Sequence, residues 1–340
     1  MGLHAQTLRR ILATVVAAGL TISLSACQWR SSAPTATSTP KPAAGPIAVV
    51  ASVSQWGSLA KQIGGDDVNV TTIITSTTAN PHEFEPKASD IAKLQKATIL
   101  VSNGAGYDSW AAKNGAKGTQ TISAADIVGA LEGDNPHLWF SKDARKGMAS
   151  ELADAFSKER PAKKKAFAAR LKQWDDEENT LEKAMKTFGA DHKAPTYAAT
   201  DAVTYYLMAE MGFKELTPRG YAQAAASSME PGTADMDNFQ RLLEQRKVDV
   251  LIANAQVPSV AATTLIQSAQ QNKVPVLNVT EQLPQDDKDL VSWIADIVDR
   301  LSTDIPSDTV AKHERESPSS SPSATTTDSA TPSPSTSSKD

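Results

Sequence analysis

The chain has 340 residues, with 34 Lys and Arg against 39 Asp and Glu for a formal charge of −5, and 40% hydrophobic but only 5% aromatic residues. An acidic balance without any long run of Lys or Arg lacks the positive footprint that holds a phosphate backbone, which argues against nucleic-acid binding. A single cysteine rules out an intramolecular disulfide framework and any cysteine-rich zinc ribbon, because both need several thiols.

Taken in chain order, Arg9 and Arg10 precede an apolar stretch, residues 11–24, broken only by small or hydroxyl residues. At about 14 residues it falls short of the roughly 20 that cross a bilayer as a helix, and it predicts a signal peptide over residues 1–26. Cys27 follows Leu24-Ser25-Ala26, a pattern that resembles the lipobox of bacterial lipoproteins, whose cysteine is acylated and becomes the new N-terminus. That resemblance makes Cys27 a lipid anchor and residues 27–46 a disordered tether; a buried or incidental cysteine is the alternative. Ser, Thr, Pro and Ala dominate the tether and, from 314 to 340, the tail, so neither can bury enough apolar surface to offset the entropy of ordering.

Between these ends, strands and helices alternate. Strands are predicted over 47–53, 68–75, 98–102 and 120–123, with helices over 56–63 and 88–96 and after 123. A second series has strands over 196–199, 248–253 and 275–279. Its helices fall over 202–211, 234–246, 259–271 and 288–301. Such alternation implies parallel sheets. The two series are separated by a charged segment in which, after Pro161, the residues Phe167, Leu171, Trp174, Leu181, Met185 and Phe188 recur at spacings of three, four and seven. That stripe predicts one helix of about 27 residues. The fold expected is therefore α/β: two lobes, each a mostly parallel sheet flanked by helices, over 47–160 and 191–313, joined by a long helix over 161–190.

Five histidines carry most of the functional information. His4 goes with the signal peptide, His313 borders the tail, and His192 lies in a polar stretch that reads as a solvated loop. His82 and His137 both close the tripeptide Asn-Pro-His, as Asn80-Pro81-His82 and Asn135-Pro136-His137. Proline fixes its own φ and restricts the residue before it, so each imidazole is presented from a stiff loop. Two converging imidazoles suit zinc, manganese, iron or cobalt, with carboxylates completing the shell; local loop hydrogen bonds are the bland alternative. In parallel α/β sheets ligands bind beyond the carboxyl ends of strands. Asp201 and Glu281 both stand at such ends, although Thr200-Asp201 also reads as a helix N-cap and Glu281 as a solvated loop acid.

These residues resemble a known family, the metal-specific substrate-binding proteins of ABC importers, many of them lipoproteins. Asn80-Pro81-His82-Glu83-Phe84-Glu85-Pro86 looks like the family's Pro-His-Glu-aromatic-Glu-Pro motif, and Asp134-Asn135-Pro136-His137-Leu138-Trp139 resembles its second motif, usually Asp-Pro-His followed by an aromatic, with an Asn interposed. The third ligand of the family, a His or Glu opening a helix five residues before a Tyr and eleven before a Gly, falls on Asp201, which precedes Tyr206 and Gly212. Thr280-Glu281-Gln282-Leu283-Pro284 is similar to the family's last acidic motif. Resemblance extends to Trp56-Gly57-Ser58-Leu59-Ala60, Asn103-Gly104-Ala105-Gly106-Tyr107-Asp108 and the segment 250–256.

What the resemblance implies is a monomeric extracytoplasmic receptor, tethered to the membrane by Cys27. It would bind Zn2+ or Mn2+ through His82, His137, Asp201 and Glu281 in the cleft between the lobes. The ion would pass to an ABC permease driven by a separate ATPase. No enzymatic activity or catalytic cofactor is implied. Two imidazoles and two carboxylates would balance the ion's charge, and capture would weaken as the histidines protonate. Residues 83–136 contain no histidine, which leans away from zinc receptors with a His-rich loop, while the affinity order at nitrogen-containing sites favours zinc over manganese. Two rival readings remain: a secreted zinc hydrolase with Glu281 as general base, although no His-Glu-x-x-His occurs, and a surface adhesion lipoprotein whose metal is structural.

Overall fold

The computed structural model describes residues 45–78 and 83–308. The expectations placed on residues 1–44, Cys27 among them, on His82, and on the tail from 314 lie outside the described residues. No helix among the described residues is long and apolar enough to cross a membrane.

Strands β1 (Ile47–Val53), β2 (Val68–Ile74), β3 (Ile99–Ser102) and β4 (Gln120–Ser123) form a parallel sheet in the order β2-β1-β3-β4. Helices lie over both faces of this sheet, so its central strands β1 and β3 read as near-continuous apolar runs rather than alternating ones. Its helices are α1 (Ser54–Gly64), α2 (Ala88–Leu94), α3 (Ser109–Asn114), α4 (Ala124–Val128) and α5 (Lys142–Glu159). Helix α1 ends at Gly64 with Gly65 as its C-cap, at φ +55° and with the Arg170 guanidinium within 2.9 Å of where a Cβ would stand. Only glycine meets both conditions.

The expected long helix is α6 (Lys164–Asp191), 28 residues, entered through a 3-10 turn Pro161–Lys163 that puts proline in the first turn. Its stripe of Phe167, Trp174, Leu181, Met185 and Phe188 is buried against α1, α5 and the last helix of the fold, so that one apolar core runs through both lobes. Glu178 sits in that stripe, wholly buried, and is paired with Arg145 of α5 by contacts of 2.6 to 3.2 Å. Helix α5 itself was not expected. Its buried face sets Met148, Leu152 and Phe156, four residues apart, among Ala144, Ala149, Ala153, Ala155 and the buried Arg145, a helical stripe that went unread in a charged segment.

Beyond α6, β5 (Thr196–Ala199), β6 (Lys214–Glu215), β7 (Val250–Asn254) and β8 (Val276–Val279) form a second parallel sheet in the order β6-β5-β7-β8. It is flanked by α7 (Tyr205–Glu210), α8 (Arg219–Ala226), α9 (Thr233–Glu244), α10 (Val260–Gln271) and α11 (Leu290–Asp304). The short exposed β6 carries no apolar run and left no trace in the sequence pattern.

One expectation is corrected here: His192 is not a solvated loop residue. Helix α6 runs to Asp191 and makes His192 its C-cap, and the buried ring stacks on Phe188 at 4.0 Å between centroids. Nδ1 lies 2.8 Å from the Phe188 carbonyl and Nε2 3.0 Å from that of Ile305, at the end of α11. The polar sequence concealed the role because helix C-termini need donors for their last carbonyls, and a polar ring can supply them while buried.

Candidate functional site

Both sheets repeat one topology, in which the first strand is flanked by the second on one side and the third on the other. The chain leaves the two central strands in opposite directions at that point and opens a crevice beyond their carboxyl ends. In the first sheet the crevice residues are Ser54 and Gln55 after β1 and the loop 103–108 after β3. In the second they are Asp201, two residues past β5, and Asn254 at the end of β7; Glu281 follows the neighbouring β8.

Glu281 is where the two lobes meet. It has no exposed surface. Its Oε1 accepts from Nδ2 of Asn254 at 2.8 Å, and its Oε2 accepts from the Tyr107 hydroxyl of the first lobe at 2.7 Å. Its backbone is held as firmly: the amide N–H donates to Oε1 of Gln256 at 3.1 Å and the carbonyl accepts from Nε2 of Gln55. Ser54 accepts from the amide of Leu283 at 2.9 Å and donates to Oε1 of Gln282 at 3.1 Å. Burial, and then the nearby Glu281 carboxylate, push the Tyr107 phenol well above its ordinary range, so it stays a hydrogen-bond donor.

His137 is buried, with Nε2 4.0 Å from Oε2 of Glu281. It follows Pro136, whose carbonyl accepts from Nδ2 of Asn103 at 2.8 Å, and Asn103 in turn accepts from the indole of Trp56 at 3.0 Å. The imidazole makes edge contacts with Trp139 and Tyr107. Asp108 closes the glycine-bearing loop 103–108 beneath it. Its carboxylate accepts from the backbone N–H groups of Asn103 and Gly104 at 2.7 and 2.8 Å and from the Ser52 hydroxyl. Burial raises the Asp108 pKa against these bonds. The same loop sets Tyr107 toward Glu281.

Asp201 is half-buried and stands at the N-cap of the 3-10 turn Ala202–Thr204 that precedes α7, but its side chain makes no capping bond. Oδ2 instead accepts from Nδ2 of Asn254 at 2.9 Å, the same nitrogen that reaches Glu281. The N-cap reading of the sequence is thus correct for the backbone and wrong for the carboxylate.

Of the four residues expected to meet, the structure brings His137 to Glu281 directly and Asp201 to Glu281 through a shared amide. Among the described residues no group of three His, Cys, Asp or Glu side chains is close enough to hold a metal ion. A cleft of about 470 Å³ opens onto His137 and Asp201 from both lobes, with Glu132, Asp134 and Glu215 also on its wall. Imidazole nitrogen and carboxylate oxygen are the donor types that divalent transition metals take. Sequence reasoning missed Asn254, Tyr107 and Gln256 as parts of the site. All three fall in segments that resemble the family, but a neutral amide or a phenol has no spacing rule to mark it.

Comparison with known proteins identifies the family and the fold. The chain is 26% identical over 274 residues to the zinc-binding lipoprotein AdcA of Streptococcus pneumoniae strain R6, a match covering 74% of this chain and 54% of that protein. It thus spans about half the length of that relative. The manganese-binding lipoprotein MntA of Bacillus subtilis is 24% identical over 239 residues, covering 66% of this chain and 76% of that one. Among solved structures, the periplasmic zinc-binding protein TroA of Treponema pallidum superposes with a TM-score of 0.63 at 16% identity, over 76% of this chain and 98% of that one, which shows a shared fold. A family model described as ZnuA, zinc-uptake complex component A, periplasmic, matches residues 49–304, and the chain belongs to that family.

Proposed function

We propose that this protein is an extracytoplasmic receptor that captures Zn2+ or Mn2+ in the cleft between its lobes and delivers it to an ABC import permease with a separate ATPase. It acts as a binding protein rather than an enzyme, held at the membrane by a lipid on Cys27. The ligands are His82 and His137 from the first lobe and Asp201 and Glu281 from the second. The observation that carries the reading is the burial of Glu281 between the lobes, with its carboxylate turned toward His137 and amide-bridged to Asp201. A buried acid of this kind costs desolvation energy that a bound cation repays. The zinc- and manganese-binding relatives support the choice of cargo.

Equilibrium dialysis against zinc and manganese with elemental analysis tests it, using the lipid-free chain from residue 28. One exchangeable ion per chain is expected, with affinity falling at least tenfold in both His137→Ala and Glu281→Ala. No ion bound, or binding indifferent to both substitutions, would return the function to a metal-independent surface role.

A further inference from the structure

The residue that departs from the second Pro-His motif, Asn135, has more defined work in this site than a spacer. Its Oδ1 accepts from the backbone N–H of His137 at 3.0 Å, which settles which end of the amide is oxygen. That same oxygen lies 2.8 Å from Nδ1 of His137. An oxygen acceptor requires Nδ1 to carry a proton, which in the neutral form of the ring leaves the lone pair on Nε2, the nitrogen that faces Glu281. The other end of the amide crosses the cleft: Nδ2 donates to the carbonyl of Ala202, the residue after Asp201, at 2.8 Å. A second cross-lobe bond parallels it, from the Tyr206 hydroxyl of α7 to the Asn135 carbonyl at 2.9 Å. The neighbouring Asp134 does not share this work, since its carboxylate accepts from the Leu131 amide at 2.8 Å.

We propose that Asn135 is a positioning residue that couples the imidazole tautomer of His137 to closure of the second lobe. An amide is the side chain that can do both, because it accepts at one end and donates at the other. Aspartate in its place accepts from His137 but turns a carboxylate oxygen on the Ala202 carbonyl, which keeps the tautomer and breaks the cross-lobe bond. Alanine loses both. One side chain thus links the loop that aims a nitrogen donor to the lobe that carries Asp201. For metal release this rests on the proposed receptor reading, but the linkage is a property of the metal-free protein and is measurable there.

The test uses the chain from residue 28 with Asn135→Asp and Asn135→Ala, each checked for native circular dichroism. In metal-free protein, long-range 15N–1H correlation of the imidazoles, assigned with His137→Gln, is expected to show His137 as the Nδ1–H tautomer in wild type and Asn135→Asp. In Asn135→Ala it should be a tautomer mixture. Hydrogen–deuterium exchange of residues 131–137 should rise in both variants. Release of bound zinc to a chromogenic chelator should speed up about three- to tenfold in Asn135→Asp, as loss of one hydrogen bond implies. A pure Nδ1–H tautomer in Asn135→Ala, or exchange in Asn135→Asp equal to wild type, overturns the proposal whatever the metal data show. Wild-type protein that binds no zinc, with the tautomer and exchange changes present, would overturn the receptor reading and leave the coupling standing.

Discussion

At the scale of single residues, the site is a set of charged groups held by neutral ones. Glu281 spends both carboxylate oxygens on partners from different lobes, Asn254 and Tyr107, and the Tyr107 hydroxyl also accepts from Nε2 of Gln282 at 3.1 Å. Tyr107→Phe removes a donor to a buried carboxylate without leaving a void. It should cost about 1.5–3 kcal/mol of stability, read by urea unfolding of the metal-free protein, because bonds to charged groups are worth more than neutral ones. If the unfolding midpoint stays put, Tyr107 is not holding the acid. His137, Asp201 and Glu281 could be picked out in the sequence as candidates because a preceding proline, a helix start and a strand end mark their positions; their role as ligands belongs to the proposed function. Asn254 and Tyr107 could not be, since their roles exist only once β7 and the loop after β3 face each other. His192 shows the converse. A polar stretch concealed a buried ring that caps two helix ends.

Among the elements, the long helix α6 was legible from apolar spacing alone, while its partner α5 was missed, because its stripe of Met148, Leu152 and Phe156 is short and set among alanines, a buried arginine and charged residues. The Arg145–Glu178 pair explains how the two helices tolerate charge in the core. Both side chains are fully buried, and Nη1 of Arg145 also donates to the carbonyl of Trp139 at 3.2 Å, beside His137. Breaking the pair leaves an uncompensated buried charge. Glu178→Ala is therefore expected to destabilise the protein by about 3–5 kcal/mol, whereas the double substitution Arg145→Met with Glu178→Leu should recover most of that loss. Thermal unfolding of the three proteins decides it, and equal destabilisation in the single and double variants would mean that the helices depend on the pair itself rather than on neutrality.

For the molecule as a whole, the two sheets share one strand order, and their crevices face one cleft. The alternation of strands and helices made the class and the two lobes readable, because period and turn residues are local signals. The assembly of the site was not readable in that way. Bonds from Gln55 and Ser54 to residues 281–283 span more than two hundred positions, and no local pattern encodes them. Family motifs in order supplied candidates for the site that periodicity could not. In the proposed receptor, one divalent ion sits where the two lobes bring imidazole and carboxylate together. An anomalous difference map at the zinc edge, from crystals grown with one equivalent of zinc, locates that ion. A single strong peak is expected, about 2.0–2.2 Å from Nε2 of His137 and from a Glu281 carboxylate oxygen. A peak elsewhere on the surface, or none in the cleft, would contradict it.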